Sequence, residues 1–434
     1  MKLFGSMENV NGVLHIGGVS VNSLVNTYGS PLYVIDRVHV ENIIDTMKNS
    51  FKSDKFATEI AYASKAFINK AMVQFINTKG LSLDVVSDGE LYTAKVANFP
   101  SEKIYMHGNN KTDEELRMAI EYNVGTIVVD SKEEFFKLSK IAEIANKVVN
   151  VILRVNPGID AHTHEYIQTS KFDSKFGESI FDDSVITLIK DMINHDYINF
   201  LGFHCHIGSQ IFDEKPFYAE AEVMLDFIKK IEDTLNYKIK ILNLGGGFGI
   251  YYSGEDDPID LDIFLKKIIE ILENKLEEKK LSIEKVVIEP GRSIIANSGV
   301  TLYKVGSTKT TYSGKKYIFV DGGMTDNIRP ALYQAEYEGV IANRLNDTSC
   351  DTYTVAGKCC ESGDILIKNK NFVTPNINDI LAVFSTGAYN YSMASNYNRL
   401  KKPAVIMVKD KKVNLIVKRE TYEDLIRNDL DFEE

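Results

Sequence analysis

Residues 240–249 read KILNLGGGFG, a short apolar run that ends in glycines. A dinucleotide-binding unit would carry GxGxxG here and open a helix directly afterwards. The third glycine of that fingerprint is missing, and IYYSG follows (250–254). Two readings remain: a tight turn, or a row of backbone N–H groups at a strand's C-terminal end, offered to a phosphate. Late strands of a parallel barrel carry loops of the second kind.

The pattern around this stretch is that of a barrel. Apolar, β-branched runs occur at 58–64, 81–87, 103–108, 126–131, 151–156, 200–206, 240–247 and 285–291. Between them lie segments such as YAEAEVMLDFIKKIEDTL (218–235), with apolar residues at helical spacing. Eight strands that are apolar on both faces, each followed by a helix, predict a closed parallel (β/α)8 barrel. Beyond about residue 300 the texture changes to short strands with turn signals, such as KYIFVDGG, ILAVFSTGAY and AVIMVKD. This predicts a mostly antiparallel β domain. VLHIGGVSV and PLYVID, before the barrel, also read as strands that could join it. The expected fold is therefore α/β: a barrel domain over 37–300, inserted in a β domain of 1–36 plus 301–434.

The totals favour an ordinary globular chain. Acidic residues outnumber basic ones by 61 to 50, for a net charge of −11, which disfavours nucleic-acid and anionic-membrane surfaces. No apolar run reaches the length of a membrane span, and the N-terminal sequence shows no export signal. The cysteines at 205, 350, 359 and 360 have no CxxC spacing, so a reduced, cytoplasmic setting is expected.

In a barrel, residues just past the strand ends form the site. Polar residues follow nearly every predicted strand: Lys65, Asp84 with Ser87, His107, Arg154, His204 with His206, and Glu289 to Arg292. A single strand-end charge is ordinarily a solvated rim residue, whereas a ring of them on one face is a site. Lys65, in AYASKAF, is either a surface lysine or an amine held among apolar neighbours, where a lowered pKa leaves it free to condense with a carbonyl. A lysine together with a phosphate loop in a barrel points to pyridoxal 5'-phosphate (PLP). HCHIGSQ (204–210) could hold a metal through its two histidines, but no third ligand is visible at a suitable spacing and no metal is expected. In VAGKCCESGD (355–364), a disulfide between adjacent cysteines would strain the intervening peptide.

YASKAF, GNNKT (108–112), RVNPGIDAHTHEYI (154–167), HCHIGSQ, LGGGFG, EPGRS, DGGMTDNIRPALY (321–333), CESGD (360–364), GAYNYSMASNYN (387–398) and KRETYEDL (418–425) occur in that order. Together they resemble the diaminopimelate decarboxylases, a branch of the PLP-dependent decarboxylases related to ornithine decarboxylase and alanine racemase. The resemblance implies decarboxylation of meso-2,6-diaminopimelate to L-lysine and CO2, the last step of lysine biosynthesis. It also implies a homodimer whose active sites are shared across the interface.

By motif, Lys65 resembles the lysine that holds PLP, and Glu289 the acid that bonds its pyridine nitrogen. His206 resembles the histidine that stacks on its ring. Ser209, positions 246 to 248 of the glycine loop (Gly246, Gly247 and the position after them), Gly291 and Tyr389 match the phosphate contacts. Arg292, Arg329, Tyr333 and Tyr389 match the substrate contacts, Glu361 the clamp on the distal ammonium, and Cys360 the proton donor. His204 and Cys359 are expected to pack, Cys359 because side chains alternate along an extended segment. Phe67 departs from the family's usual asparagine, and YNRLKKPA (397–404) lacks an arginine-rich form. Both bear on substrate fit rather than on the reaction. Decarboxylases for ornithine, arginine or carboxynorspermidine, an alanine racemase, and an inactive partner-binding homologue are the competing readings.

Overall fold

The computed structural model describes residues 2–159 and 174–433. The histidines at 162 and 164, and most of the 160–175 segment considered as a substrate cover, lie outside the described residues. The chain divides into two compact units. One is Ile44–Ile250 with Asp257–Ser293, and the other is Met1–Ile43, Tyr251–Asp256 and Ile294–Glu434.

The first unit is the predicted barrel. Its eight parallel strands run Ala57–Ala63, Ser82–Val85, Ile104–Met106, Thr126–Val129, Val149–Asn156, Ile198–His204, Ile241–Asn243 and Lys285–Ile288. Each pairs with the next, and Lys285–Ile288 pairs with Ala57–Ala63 to close the ring. Short strands such as Thr126–Val129 are buried at every residue, which is why they read as continuous apolar runs rather than alternating ones. Ala61, Tyr105, Val128, Ile152, Ile241 and Val287, from six of the strands, pack as one buried cluster. This filled interior leaves the chain's polar groups for the strand ends.

The outer helices have start and stop signals that agree with the pattern. Leu261–Lys279 begins at Asp260, whose carboxylate accepts the N–H groups of Asp262 and Ile263, and ends at Lys280 in the left-handed conformation. The predicted strand at 240–247 stops at Asn243, because Gly245 turns the chain with φ of +62°.

The second unit is a β domain built on a seven-strand path. In order these are Ile365–Val373, Cys350–Ala356, Lys316–Val320, Gly299–Thr310, Leu32–Asp36, Ala404–Lys409 and Lys412–Val417. Ile380–Phe384 also pairs with Gly299–Thr310, and Gly339–Ile341 with Ile380–Phe384. Its pairings are antiparallel except Leu32–Asp36 with Ala404–Lys409 and Lys316–Val320 with Cys350–Ala356. The N-terminal strand Leu32–Asp36 thus sits inside the C-terminal sheet, as predicted. The earlier segment VLHIGGVSV instead forms a small three-stranded sheet with Glu8–Val10. Among the described residues, no helix is long and apolar enough to cross a membrane.

Candidate active site

At the C-terminal end of the barrel strands, Glu289 is buried and fully engaged. His107 Nε2 lies 2.8 Å from its Oε1 and His204 Nε2 3.1 Å from its Oε2. The Asn243 amide donates to Oε1 at 2.6 Å, and Asn243 Oδ1 accepts the N–H of Gly245 at 2.9 Å. The barrel register explains the meeting: His204 and Asn243 are opposite one another on neighbouring strands, and Glu289 follows the next strand. Burial alone would push the Glu289 carboxyl up, but the two imidazoles outweigh it and hold it well below the usual carboxylate range. Burial lowers His204 to about 4, so it donates as a neutral ring. His204 was expected only to pack, yet here it holds Glu289. The three side chains have the donor set of a metal site. Both Nε2 atoms are at hydrogen-bond distance from the carboxylate, which accounts for the cluster as a hydrogen-bonded network.

Lys65 lies in a single helical turn (Ser64–Ala66) directly after the first strand, and is exposed. Its charge acts on Asp84, Glu90 and His206. Asp84 is buried, with Oδ1 lacking a hydrogen-bond partner. His206 is half-buried, and its Nδ1 accepts the Gly246 N–H at 3.3 Å. That bond places the ring proton on Nε2. Burial, reinforced by Lys65 and Arg154, holds His206 well below its ordinary pKa and therefore neutral.

The glycine loop follows. Gly247 has φ of +112°, and a Cβ there would fall 2.3 Å from the Gly208 carbonyl, so no larger residue fits. Position 248, grouped above with the glycines, is Phe248. It is buried against Phe217 and Phe264 and anchors the loop to the outer helices instead of facing a ligand. Ser209 is exposed, and its Oγ accepts a hydrogen bond from Arg292 Nη2 at 3.0 Å. At Gly291 a Cβ would meet Ala63 at 2.9 Å, so this glycine lets the turn after the last strand approach the first.

The fit to PLP can be judged from these groups. An exposed amine, a buried ionised carboxylate, a neutral imidazole and a glycine loop flanked by a hydroxyl and a guanidinium all follow strands of one barrel. That set matches an aldehyde, a protonated ring nitrogen, a ring face and a phosphate.

The β unit carries the remaining predicted residues. Arg329 is only 8% exposed. Its Nε donates to the Tyr337 hydroxyl at 2.9 Å, and its guanidinium lies 5.3–5.7 Å from the rings of Tyr389, Tyr333 and Tyr252. It makes no ion pair among the described residues. The buried amide nitrogens of Asn327, two residues before it, and of Asn390, next to Tyr389, lack acceptors among the described residues. Tyr389 has φ of +67°, an uncommon state for a bulky residue and one found at functional sites. Tyr333 is exposed.

Cys360 and Glu361 are exposed, and the Cys360 N–H donates to Asn398 Oδ1 at 2.7 Å. Cys359 is buried, but not for the expected reason. The segment bends instead of running extended, with the Glu361 N–H bonded to the Cys359 carbonyl at 2.8 Å. The sequence reading did not single out Asn243 or Tyr337. The asparagine that interrupts the apolar run ILNL was the available signal for the first.

The profile described as "Pyridoxal-dependent decarboxylase, pyridoxal binding domain" matches residues 37–296. The chain belongs to the pyridoxal-dependent decarboxylases. Within them its relatives are diaminopimelate decarboxylases. That of Bacillus subtilis is 47% identical over 98% of this chain and 97% of its own. That of Staphylococcus aureus is 42% identical over 97% and 98%. The crystal structure of the M. jannaschii diaminopimelate decarboxylase in complex with L-lysine is 34% identical, with a TM-score of 0.93 and 99% of each chain covered. The family resemblance read from the motifs is borne out.

Proposed function

We propose that this chain is a PLP-dependent diaminopimelate decarboxylase. It removes one carboxylate of meso-2,6-diaminopimelate to give L-lysine and CO2, the last step of lysine biosynthesis. The observation that carries the substrate assignment is Arg329: a buried guanidinium with no acidic partner among the described residues, in a chain with full-length diaminopimelate decarboxylase relatives. A buried charge needs a partner, and a substrate with a second carboxylate supplies one.

When bound, PLP supplies the electron sink for the pair left behind as the C–COO⁻ bond breaks. Lys65 would hold it through its amine, His206 at the ring face, and Ser209, Gly246, Gly247, Gly291 and Tyr389 at the phosphate. Glu289, kept ionised by His107 and His204, would pair with the ring nitrogen and keep a proton there. Arg292, Arg329, Tyr333 and Tyr389 orient the substrate, the arginines because a guanidinium fork bonds both oxygens of a carboxylate. Glu361 pairs with the distal ammonium. Cys360 would supply the proton that takes the place of CO2 at Cα, and Lys65 would hold the cofactor between turnovers.

Cys360 and Glu361 belong to the β unit, and the family pattern has them serve the site of a second copy in a homodimer. The domain limits 37–300 and 1–36 plus 301–434, and a cytoplasmic location, complete the reading. The deciding experiment measures CO2 and L-lysine release from meso-diaminopimelate, with and without added PLP, with ornithine in parallel. PLP-dependent, stoichiometric release from meso-diaminopimelate is expected. Preference for ornithine would move the chain to another branch, and no release from either would refute the activity.

A further inference from the structure

Two loops of the β unit carry groups assigned to the substrate: 321–328, which leads into Arg329, and 357–364, which carries Cys360 and Glu361. They leave the same end of the sheet, because Lys316–Val320 and Cys350–Ala356 are parallel neighbours with Phe319 opposite Ala356. Between them lies Asp364, 2% exposed. Its Oδ1 accepts the Met324 N–H at 2.6 Å and its Oδ2 the Cys359 N–H at 2.8 Å. Its main chain closes its own loop, with Gly357 N–H to Asp364 O at 3.0 Å and Asp364 N–H to Glu361 O at 3.1 Å. Lys358 N–H to Gly322 O, at 2.9 Å, ties the loops a second time.

The flanking glycines are shaped to this carboxylate. A Cβ at Gly323 would lie 2.4 Å from Asp364 Oδ2, and one at Gly357 2.3 Å from the same atom. Neither glycine has a positive φ. Close approach, rather than backbone conformation, is what requires them. A turn could be closed by main-chain bonds alone, but here one buried carboxylate joins two separate loops.

We propose that Asp364 is a positioning residue: it clamps the loop bearing Cys360 and Glu361 to the loop leading into Arg329, and so holds in place the proton donor and ammonium clamp that this chain offers to the second copy's site. The inference rests on the substrate roles proposed above. Small errors in the placement of those two groups are costly, since a displacement of about 1 Å can reduce rate on the order of 10²-fold.

The test uses the holoenzyme in a Cys350→Ser background. There Cys360 is the exposed thiol among the described residues, while Cys205 and Cys359 are buried. Iodoacetamide followed by peptide mass spectrometry should find one rapid adduct, at Cys360. Asp364→Asn puts an amide where one N–H needs an acceptor, and should add a rapid adduct at Cys359. It should also lower kcat/KM for meso-diaminopimelate on the order of 10²-fold, with cofactor content and absorbance unchanged. Gly323→Ala, which keeps the carboxylate but displaces it, should give the same two changes more weakly and serves if Asp364→Asn is not recovered folded. A lowered melting temperature with a single adduct and kcat/KM within about twofold of wild type would overturn the proposal, because a purely structural bond behaves that way. The adduct count needs no turnover, so it tests the clamp even if meso-diaminopimelate is not the substrate.

Discussion

Glu289 and Arg329 are both buried charges, but they are satisfied differently. Glu289 receives two imidazoles and an amide from three other strand ends of its own barrel. Arg329 receives one tyrosine hydroxyl and the faces of three aromatic rings, with no acid among the described residues. The first arrangement fixes a charge state: it keeps a carboxylate ionised where burial would neutralise it. The second leaves a cation short of its counter-ion and suits a site that an anionic ligand completes. Under the proposed function, Glu289 serves the cofactor and Arg329 the substrate.

The barrel half of this contrast depends on Lys65. Lys65→Ala should lower turnover by at least ~10³-fold, the order expected when a covalent group is lost. It should also abolish the cofactor mass that borohydride fixes to the wild-type chain; undiminished fixation would remove the assignment. Glu289→Gln keeps shape and removes charge, and should lower kcat by about 10²-fold and shift the bound cofactor's absorbance maximum. An unchanged spectrum would mean the ionised state does not matter.

Arg329→Lys keeps charge and removes the fork. It should raise KM for meso-diaminopimelate by about tenfold with little change in kcat. A KM within twofold would show that Arg329 has no anionic ligand to lose. The smallest effect on activity concerns a charge the reaction does not use. Glu220, on the helix Lys215–Leu235, is buried beside Cys205, and burial pushes its carboxyl up to about 8. In this window the folded chain binds more protons than the unfolded one, so Glu220 costs stability as pH rises from about 4.5 to about 8. Glu220→Gln should match wild type in melting temperature near pH 4.5. By pH 8.5 it should be more stable, by a few kcal/mol at most, with activity retained. Parallel pH profiles of the two proteins would contradict the assignment of that charge.

The barrel was legible because strands buried on both faces are unbroken apolar runs, and because Gly245 and Ser64 mark where two of them stop. Lys65, Glu289 and His206 were legible as strand-end residues. The bonds His107 and His204 make to Glu289 were not, since closing the ring brings together positions up to 182 residues apart. Asp364 was equally hidden. Reading the cysteines as an alternating extended pair missed the turn that Asp364 closes, and burial of Cys359 follows from that turn rather than from pleat geometry.

The strand Leu32–Asp36 pairs with Gly299–Thr310 on one side and Ala404–Lys409 on the other. During synthesis it therefore leaves the ribosome long before either neighbour exists. At ~5–20 residues per second the interval is tens of seconds, and the residues of the barrel unit emerge within it. An apolar strand left without neighbours for that long is a template for foreign pairing, so the nascent chain is most exposed to aggregation at its beginning. Moving the first 43 residues to the C-terminus by circular permutation would bring this strand out after both of its partners.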